Sequence, residues 1–324
     1  MRVVQGLESV RPFDRRPVLT IGNFDGVHRA HQTILQTARN AALETSTEAV
    51  VLTFDPHPLA ILAPRKSPLR LMPLEEKLRC LEFAGADVVV VARSEPNLLG
   101  LEAEAFVRNV IRDQFHPRSI VEGPSFGFGR GRRGDVAFLR RECGSFDCDV
   151  RVVEPFTVTR PGADPVLVSS SLIRRMLLDG DVEGAALCLG RSYALFGPVV
   201  EGDRRGRTLG FPTANLQVDE QLVPADAVYA GWGAVGNERL PAAISIGSAP
   251  TFGGGAARRV EAHFLDFTGD LYGQKMRLKF AARVRDQRSF ISAEALTEQL
   301  KLDVSWVRAV LGAGTGFVEL DERP

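Results

Sequence analysis

Val18-Leu19-Thr20-Ile21-Gly22-Asn23-Phe24-Asp25-Gly26-Val27-His28-Arg29-Ala30-His31 is the stretch whose reading decides the fold of the first half of the chain. Val18 to Ile21 reads as a short buried strand that stops at Gly22-Asn23-Phe24-Asp25-Gly26, and a helix is predicted from near Val27 through Ile34, Leu35 and Ala38. Outward from it, strands are predicted from Glu48 to Phe54 and from Asp87 to Ala92, with Val88 to Val91 buried on both sides. Helices are predicted from Leu74 to Ala84 and from Glu102 to Asp113, the latter on the spacing of Ala105, Phe106, Asn109 and Val110. Alternating helices and strands that are apolar throughout imply an α/β, doubly wound parallel sheet, whose ligands bind at the carboxyl ends of the strands.

The loop after the first of these strands lies at such an end. His28 and His31 are three apart at the first turn of the predicted helix, so both rings can face one side, toward the positive end of the helix dipole. Two imidazoles there suit the neutralisation of a nucleotide triphosphate, an electrostatic role in which the protein supplies no nucleophile. The plain alternative is a helix start with two solvated histidines; a zinc site lacks a third ligand.

The 324 residues suffice for two domains, and 44% hydrophobic content fits a folded protein. Forty basic residues balance forty acidic ones, which disfavours a dedicated nucleic-acid binder. Arg130, Arg132 and Arg133 beside Gly129, Gly131 and Gly134 fit a loop closing over nucleotide phosphates, a solvated loop, or a local nucleic-acid contact. Cys80, Cys143, Cys148 and Cys188 lack paired metal-ligand spacing, so reduced thiols are expected. With neither a signal peptide nor an apolar run of membrane-spanning length, the expectation is a soluble, cytoplasmic protein with no membrane or nucleic-acid partner; self-association is left open.

A further strand is predicted from Asp149 to Val153, then a turn-rich hairpin or loop over Thr159 to Pro165. Ser169 or Ser170 can cap a helix with Leu172, Ile173, Met176 and Leu177 facing the core, ended by Gly180, and Asp181 to Leu189 forms one more. The domain boundary is placed near Gly190, giving domains 1–189 and 190–324. Thereafter short strands at Tyr193 to Val200, Val228 to Val235, Ala242 to Ile246, Val260 to Phe267 and Met276 to Ala282 suggest a closed antiparallel β-barrel. Ser292 caps a terminal helix with Leu296, Leu300, Val304, Val307 and Leu311 on one face.

Between the first two of those strands lies Glu201-Gly202-Asp203-Arg204-Arg205, followed by Gly206-Arg207-Thr208-Leu209-Gly210-Phe211-Pro212-Thr213-Ala214-Asn215. Two glycines and a proline fix a tight backbone, arginines bring positive charge, and Thr213 and Asn215 offer oxygens to a hard cation, the inventory of a phosphate and magnesium site. An ordered surface loop is the alternative. Alternation puts Glu261 and His263 on one strand face and Val260, Ala262 and Phe264 on the other. Glu261 is there either as a base for a primary hydroxyl or as an exposed strand residue.

Gly206 to Asn215 resembles the signature of riboflavin kinases, and the resemblance continues through Ile246-Gly247, Pro250-Thr251-Phe252, Glu261 to Phe267 and Asp270-Leu271-Tyr272-Gly273. Gly22 to His31 resembles the paired-histidine motif of nucleotidylyltransferases in its FAD synthetase form, as do Thr53-Phe54-Asp55-Pro56-His57-Pro58 and Gly123 to Gly129 with Arg130, Gly134 and Asp135. Nearly the whole chain is thus similar to the prokaryotic bifunctional riboflavin kinase/FAD synthetase (FMN adenylyltransferase) family. The resemblance implies phosphorylation of riboflavin by ATP to FMN and adenylylation of FMN to FAD, with riboflavin, FMN and ATP as partners and Mg2+ as cofactor. It implies Glu261 as general base, Thr213 and Asn215 as magnesium ligands, and Gly206, Arg207, Gly210 and Pro212 at the kinase phosphates. In the first domain it implies His28 and His31 as catalytic, with Gly22, Phe24, Asp25, Gly26 and Arg174 at ATP. Asp55, His57, Ser125, Phe126 and Phe128 would hold flavin. This chain departs from the family pattern at Ala30 (usually glycine), Ser125 (acidic or amide), Leu172 (basic), Ser245 (asparagine) and Ala227 (glycine). The alternative reading is a monofunctional riboflavin kinase with a weakened or inactive adenylyltransferase domain.

Overall fold

The computed structural model describes residues 1–202, 205–235, 238–249 and 257–312. Asp203, Arg204 and Pro250-Thr251-Phe252, all singled out in the sequence, lie outside the described residues. The chain forms two units, Met1–Leu69 with Leu74–Val168, and Arg70–Pro73 with Ser169–Pro324.

In the first unit, β1 (Arg2–Gln5), β2 (Val18–Ile21), α1 (Arg29–Glu44), β3 (Ala49–Asp55), α2 (Pro58–Leu62), α3 (Leu74–Phe83), β4 (Val88–Arg93), α4 (Pro96–Leu99), α5 (Ala103–Ala105), β5 (Ser119–Glu122), α6 (Val136–Cys143) and β6 (Asp149–Val152) follow in order. A small hairpin, β7 (Thr157–Val158) with β8 (Val166–Leu167), ends the unit. The six long strands form one parallel sheet in the order β1-β4-β3-β2-β5-β6. Both faces are covered, as apolar strands require. On one, the small residues Ala38, Ala41 and Ala42 bring α1 close to Val18, Ala49 and Val121; on the other, Leu19, Ile21, Leu52, Val90 and Ile120 meet Phe106, Val110 and Ile111. Each such Val, Leu or Ile contributes about 1.5–3 kcal/mol by leaving water.

Helix α5 continues as a π-helix over Phe106–Phe115, in which the His116 N–H reaches the Ile111 and Arg112 carbonyls. The wider winding buries Phe106, Val107, Val110, Ile111 and Phe115 and leaves Asn109 exposed, correcting the face predicted from an α-helical period.

The second unit holds α7 (Ser170–Leu178), α8 (Val182–Leu189), β9 (Tyr193–Val200), α9 (Arg205–Thr208), β10 (Ala214–Leu216), β11 (Ala227–Val235), β12 (Glu238–Ala249), β13 (Ala257–Phe264), β14 (Lys275–Asp286) and α10 (Ala293–Gly312). Its strands close an antiparallel barrel in the order β10-β13-β12-β11-β14-β9. Val304, Val307 and Leu311 of α10 pack on Ala230, Ala243, Leu265 and Val284. Helices α7 and α8 belong with this barrel: Arg283 donates to the Asp179 carbonyl (2.8 Å) and the Ala225 N–H to that of Leu177 (2.9 Å). By contacts the chain divides between Val168 and Ser169, which groups α7 and α8 with the barrel.

Candidate functional site

Strand order reverses at β2, which has β3 on one side and β5 on the other. The β2–β3 ladder runs up to Ile21 opposite Leu52, whereas the β2–β5 ladder ends at Leu19 opposite Ile120, so β2 and β5 part toward their carboxyl ends. Such a switch-point crevice is where open α/β sheets take ligands.

The Gly22 to His28 loop rims it. Gly22 donates to the Leu52 carbonyl (3.0 Å), and the Phe24 ring folds back beneath Gly22, where a Cβ would stand 3.2 Å from it. Phe24 (φ 46°) and Val27 (φ 37°) hold left-handed backbone on either side of buried Asp25 and Gly26. For a buried, β-branched valine that conformation stores strain of about 1–3 kcal/mol, a cost proteins tend to accept at functional sites. The turn delays the helix: α1 starts at Arg29 rather than Val27, and His28 is its N-cap, Nδ1 accepting from the His31 N–H at 3.4 Å. That acceptor role leaves the His28 proton on Nε2 in the neutral ring.

Neither histidine is a solvated surface residue. His28 is 4% exposed, and the His28 and His31 rings stack at 3.6 Å with a 15° interplanar angle. Phe24 meets His31 edge-on at 5.1 Å. The His31 Nδ1 is buried with no hydrogen-bond partner. Burial first, then the positive fields of His28 and Lys77, hold His31 well below the usual imidazole range. Its ring is neutral at neutral pH.

On β3, Asp55 is the last residue and joins Pro56 through a cis bond. His57 caps α2 by accepting from the Leu59 N–H (3.1 Å), and its Nε2 lies 3.1 Å from the Asn23 side-chain amide nitrogen. Ser125 is exposed, and its carbonyl accepts from Arg132 (3.1 Å). Phe128 is committed to the core, ringed by Phe106, Phe126 and Phe138, while Phe126 is only half-buried. Arg174 sits half-buried on α7, in the second unit.

Two groups at this end of the sheet went unread in the sequence. Lys77 of α3 is 7% exposed and donates to the Phe54 carbonyl (3.4 Å). Glu122, the last residue of β5, is 3% exposed and accepts from the Ile21 N–H at 2.6 Å, taking over where the β2–β5 ladder stops. Burial pushes its carboxyl well above the usual range, only partly offset by that N–H and by the nearby Thr20 hydroxyl. A signal existed for both, a charged residue in apolar phase.

Glu122 implies a pH effect. A carboxyl whose folded pKa is raised keeps its proton after the unfolded chain has released it. The unfolded state then binds fewer protons, and stability falls as pH rises from about 4.3 toward the folded pKa. Glu122→Gln keeps an acceptor for Ile21 and cannot ionise. Its melting temperature relative to the parent is expected to rise between about pH 5 and about pH 8; an equal difference at both would remove Glu122 from the pH dependence.

In the second unit, Asn215 lies directly opposite Glu261, and Glu261 opposite Ser245, across three adjacent strands. Cross-strand partners share a face with Cβ atoms about 4.5–5.5 Å apart. Val260, Ala262 and Phe264 are buried and Glu261 and His263 half-buried, as alternation predicts. The loop leading in is tightly wound: Phe211 donates to the Gly206 carbonyl (2.8 Å), a Cβ on Gly206 would strike the Phe211 carbonyl, and Gly210 has φ 82°. His263 Nδ1 lies 2.9 Å from the Pro212 carbonyl and its ring meets Phe211 edge-on, tying the loop to β13. Arg207 and Gly210 are exposed and Thr213 is half-buried. Among the described residues no three His, Cys, Asp or Glu cluster to hold a metal ion.

Paired imidazoles at a switch point and a hydroxyl, amide and carboxylate on one barrel edge offer charge stabilisation and a base, with no protein nucleophile required. That is the chemistry of a two-unit transferase of phosphorus-containing groups. Residues 10–164 match the FAD synthetase family and residues 189–311 the riboflavin kinase family. The bifunctional riboflavin kinase/FMN adenylyltransferase of Escherichia coli K12 is 33% identical over 96% of this chain and 98% of its own, and that of Pseudomonas fluorescens is 34% identical with the same coverage. A Streptococcus pneumoniae crystal structure described as a macrolide-efflux protein superposes with a TM-score of 0.84 at 30% identity, covering 95% of this chain and 99% of that one. Among the described residues, no helix is long and apolar enough to cross a membrane. The chain belongs to the bifunctional riboflavin kinase/FMN adenylyltransferase family. It phosphorylates riboflavin to FMN with ATP and adenylylates FMN to FAD with release of pyrophosphate; with both domains present, the monofunctional alternative falls away.

Proposed function

We propose that the two reactions are divided between the units, FMN adenylylation at the switch point of the sheet and riboflavin phosphorylation at the Asn215–Glu261 edge of the barrel. The observation that carries the kinase assignment is the direct cross-strand pairing of Asn215 with Glu261. Glu261 takes the proton from the riboflavin primary hydroxyl as it attacks the γ-phosphorus, and Gly206, Arg207, Gly210 and Pro212 hold the phosphates. Thr213 and Asn215 are hard oxygen donors beside that carboxylate, a set that fits Mg2+. The ion supplies charge neutralisation on the phosphate oxygens.

In the first unit, Gly22, Phe24, Asp25 and Gly26 form the ATP loop. His28 donates from Nε2 to the triphosphate, while neutral His31 gains a proton or donates one bond as the anion fills the place beside it. The family resemblance alone makes Arg174, on α7 of the second unit, a candidate phosphate ligand. Asp55, His57, Ser125 and Phe126 bound the flavin side, and Phe128 supports Phe126 by stacking at 5.3 Å. A cytoplasmic setting, where ATP and riboflavin are available, suits both reactions.

Ala30 stands in the first turn of α1, where a methyl crowds a nucleotide packed against backbone, and Ser125 has a shorter reach than an acidic side chain. A misplaced methyl costs about 1–3 kcal/mol, which slows adenylylation by roughly 5-fold to 150-fold, and FAD formation is expected to run slower than FMN formation. Ala30→Gly and Ser125→Asp, assayed singly and together on supplied FMN, should raise FAD output. If neither does, crowding and lost reach do not limit this site.

A further inference from the structure

Phe128 and Gly134 exchange both backbone hydrogen bonds (3.0 Å each), closing a tight hairpin whose tip is Gly129-Arg130-Gly131-Arg132-Arg133. The Arg130 N–H pins the tip to the Leu101 carbonyl (2.7 Å). The backbone is left-handed at Gly131 (φ 62°) and again at Arg132 (φ 57°). Glycine takes that conformation freely, whereas a residue with a long side chain is held in it at a cost, a strain that proteins tend to keep at functional sites. Here the Arg132 side chain returns onto the segment that enters the hairpin. Its Nη2 donates to the Ser125 carbonyl (3.1 Å), and a Cβ on Gly127 would stand 3.0 Å from both Nε and Nη2. The guanidinium therefore sits where a side chain at 127 would begin.

The three arginines of the tip differ in what balances them. Arg130 and Arg133 both face Glu102, at 3.3 and 3.9 Å. Among the described residues Arg132 pairs with no carboxylate, and its bond to Ser125 uses one of the five guanidinium N–H groups. A fixed, planar fork of donors with an unbalanced charge suits a phosphate. Half-buried Phe126 lies between the two residues on which the guanidinium rests, its ring stacked on Phe128. The triphosphate loop on β2 makes none of these contacts, which all go to Ser125 and Gly127.

We propose that Arg132 binds the phosphate monoester of FMN in the adenylylation reaction and so lets the first unit select phosphorylated flavin over riboflavin. The inference rests on the assignment of Ser125 and Phe126 to the flavin side. Both flavins meet this chain, since riboflavin is the substrate of one reaction and FMN its product. They differ only in the phosphate, an anion at neutral pH, so a site that discriminates between them must do so there.

Arg132→Gln, Arg132→Lys and Gly127→Ala in the full chain test this, with riboflavin phosphorylation by the same molecules as internal control. Arg132 is exposed, so its replacement does not disturb the core. Arg132→Gln is expected to raise the KM for FMN in adenylylation by about 10-fold to 100-fold, while the KM for ATP and the rate of FMN formation stay within about twofold. The inhibition constant of riboflavin competing with FMN should not move, because riboflavin has no phosphate for Arg132 to hold. Arg132→Lys keeps the charge, loses the fork and should fall between. Gly127 is not left-handed, so Gly127→Ala is limited only by space; it displaces the guanidinium without removing it and should raise the same KM by a smaller factor. An unchanged KM for FMN in Arg132→Gln would overturn the proposal. So would a raised KM for ATP with that for FMN unmoved, which assigns the arginine to the triphosphate, or an equal weakening of riboflavin and FMN, which marks a purely structural role for the tip. If Phe126→Ala leaves both the KM for FMN and the inhibition by riboflavin unmoved, the flavin-side assignment itself fails, a result separate from that of Arg132→Gln.

Discussion

Glu261→Gln is expected to lower riboflavin phosphorylation by on the order of 100-fold or more while leaving the KM for riboflavin within a few-fold. The substitution keeps size and hydrogen-bonding shape and removes only the basic carboxylate. Packing is not at stake, because Val260, Ala262 and Phe264 bury the opposite face of β13 and the 261 side chain is only half-buried. Its pairing with Asn215 on one side and Ser245 on the other fixes its place among three adjacent strands. The loss should therefore lie in kcat. Steady-state FMN formation checks this, with adenylylation of supplied FMN as a control for folding; near-normal turnover would remove Glu261 from the mechanism.

His28→Ala is expected to cost about 100-fold to 1,000-fold in FMN adenylylation, the range for losing one preorganised donor at a site of developing charge. Here a second effect must be separated. His28 is the N-cap of α1, and replacing a cap with alanine costs about 0.5–2 kcal/mol of stability. His28→Asn distinguishes the two, since asparagine is a favoured cap and carries no imidazole. Thermal melting should show His28→Asn close to the parent and His28→Ala below it, with adenylylation reduced in both. Recovery of the rate along with stability in His28→Asn would mean that the ring acts only as a cap.

How far the sequence foretold this arrangement depended on how strongly each segment signals its own environment. Strands β2 and β9 ended where read, because the apolar run of β2 stops at Gly22 and that of β9 gives way at Val200 to Glu201-Gly202. Three strands escaped notice for different reasons. Edge strand β1 is only four residues and largely exposed, so it lacks a buried pattern. Strand β5 is also four residues and ends in Glu122, a charge at a position that the structure buries. Strand β10 is three residues that begin at the end of Gly206 to Asn215, whose glycines and proline read as loop throughout, although Ala214–Leu216 is a barrel stave. The start of α1 was misplaced because histidine is not among the usual capping residues and the left-handed turn at Val27 leaves no trace in residue type.

The candidate residues divide similarly. The spacing of His28 and His31 and the alternation around Glu261 follow the helix and strand periods, whereas Asn215 was singled out as an oxygen donor in a glycine-rich loop. Lys77 and Glu122 come from α3 and β5, distant in sequence from the Phe54 carbonyl and the Ile21 N–H that they bond, and only the fold brings them to the carboxyl ends of β3 and β2. A lysine in apolar phase between Leu74 and Leu81 was the available sign.

The division of labour between the units is tested most directly by complementation. Glu261→Gln, His28→Ala and an equimolar mixture of the two are each incubated with riboflavin, ATP and Mg2+, and FMN and FAD are resolved over time. The expected result is little FMN or FAD from Glu261→Gln, FMN with little FAD from His28→Ala, and FAD restored in the mixture, as FMN made by one variant's barrel is adenylylated by the other's sheet unit. FAD from His28→Ala alone at the parental rate, or a mixture that makes FMN and no more FAD than its components, would contradict two separate sites acting in sequence.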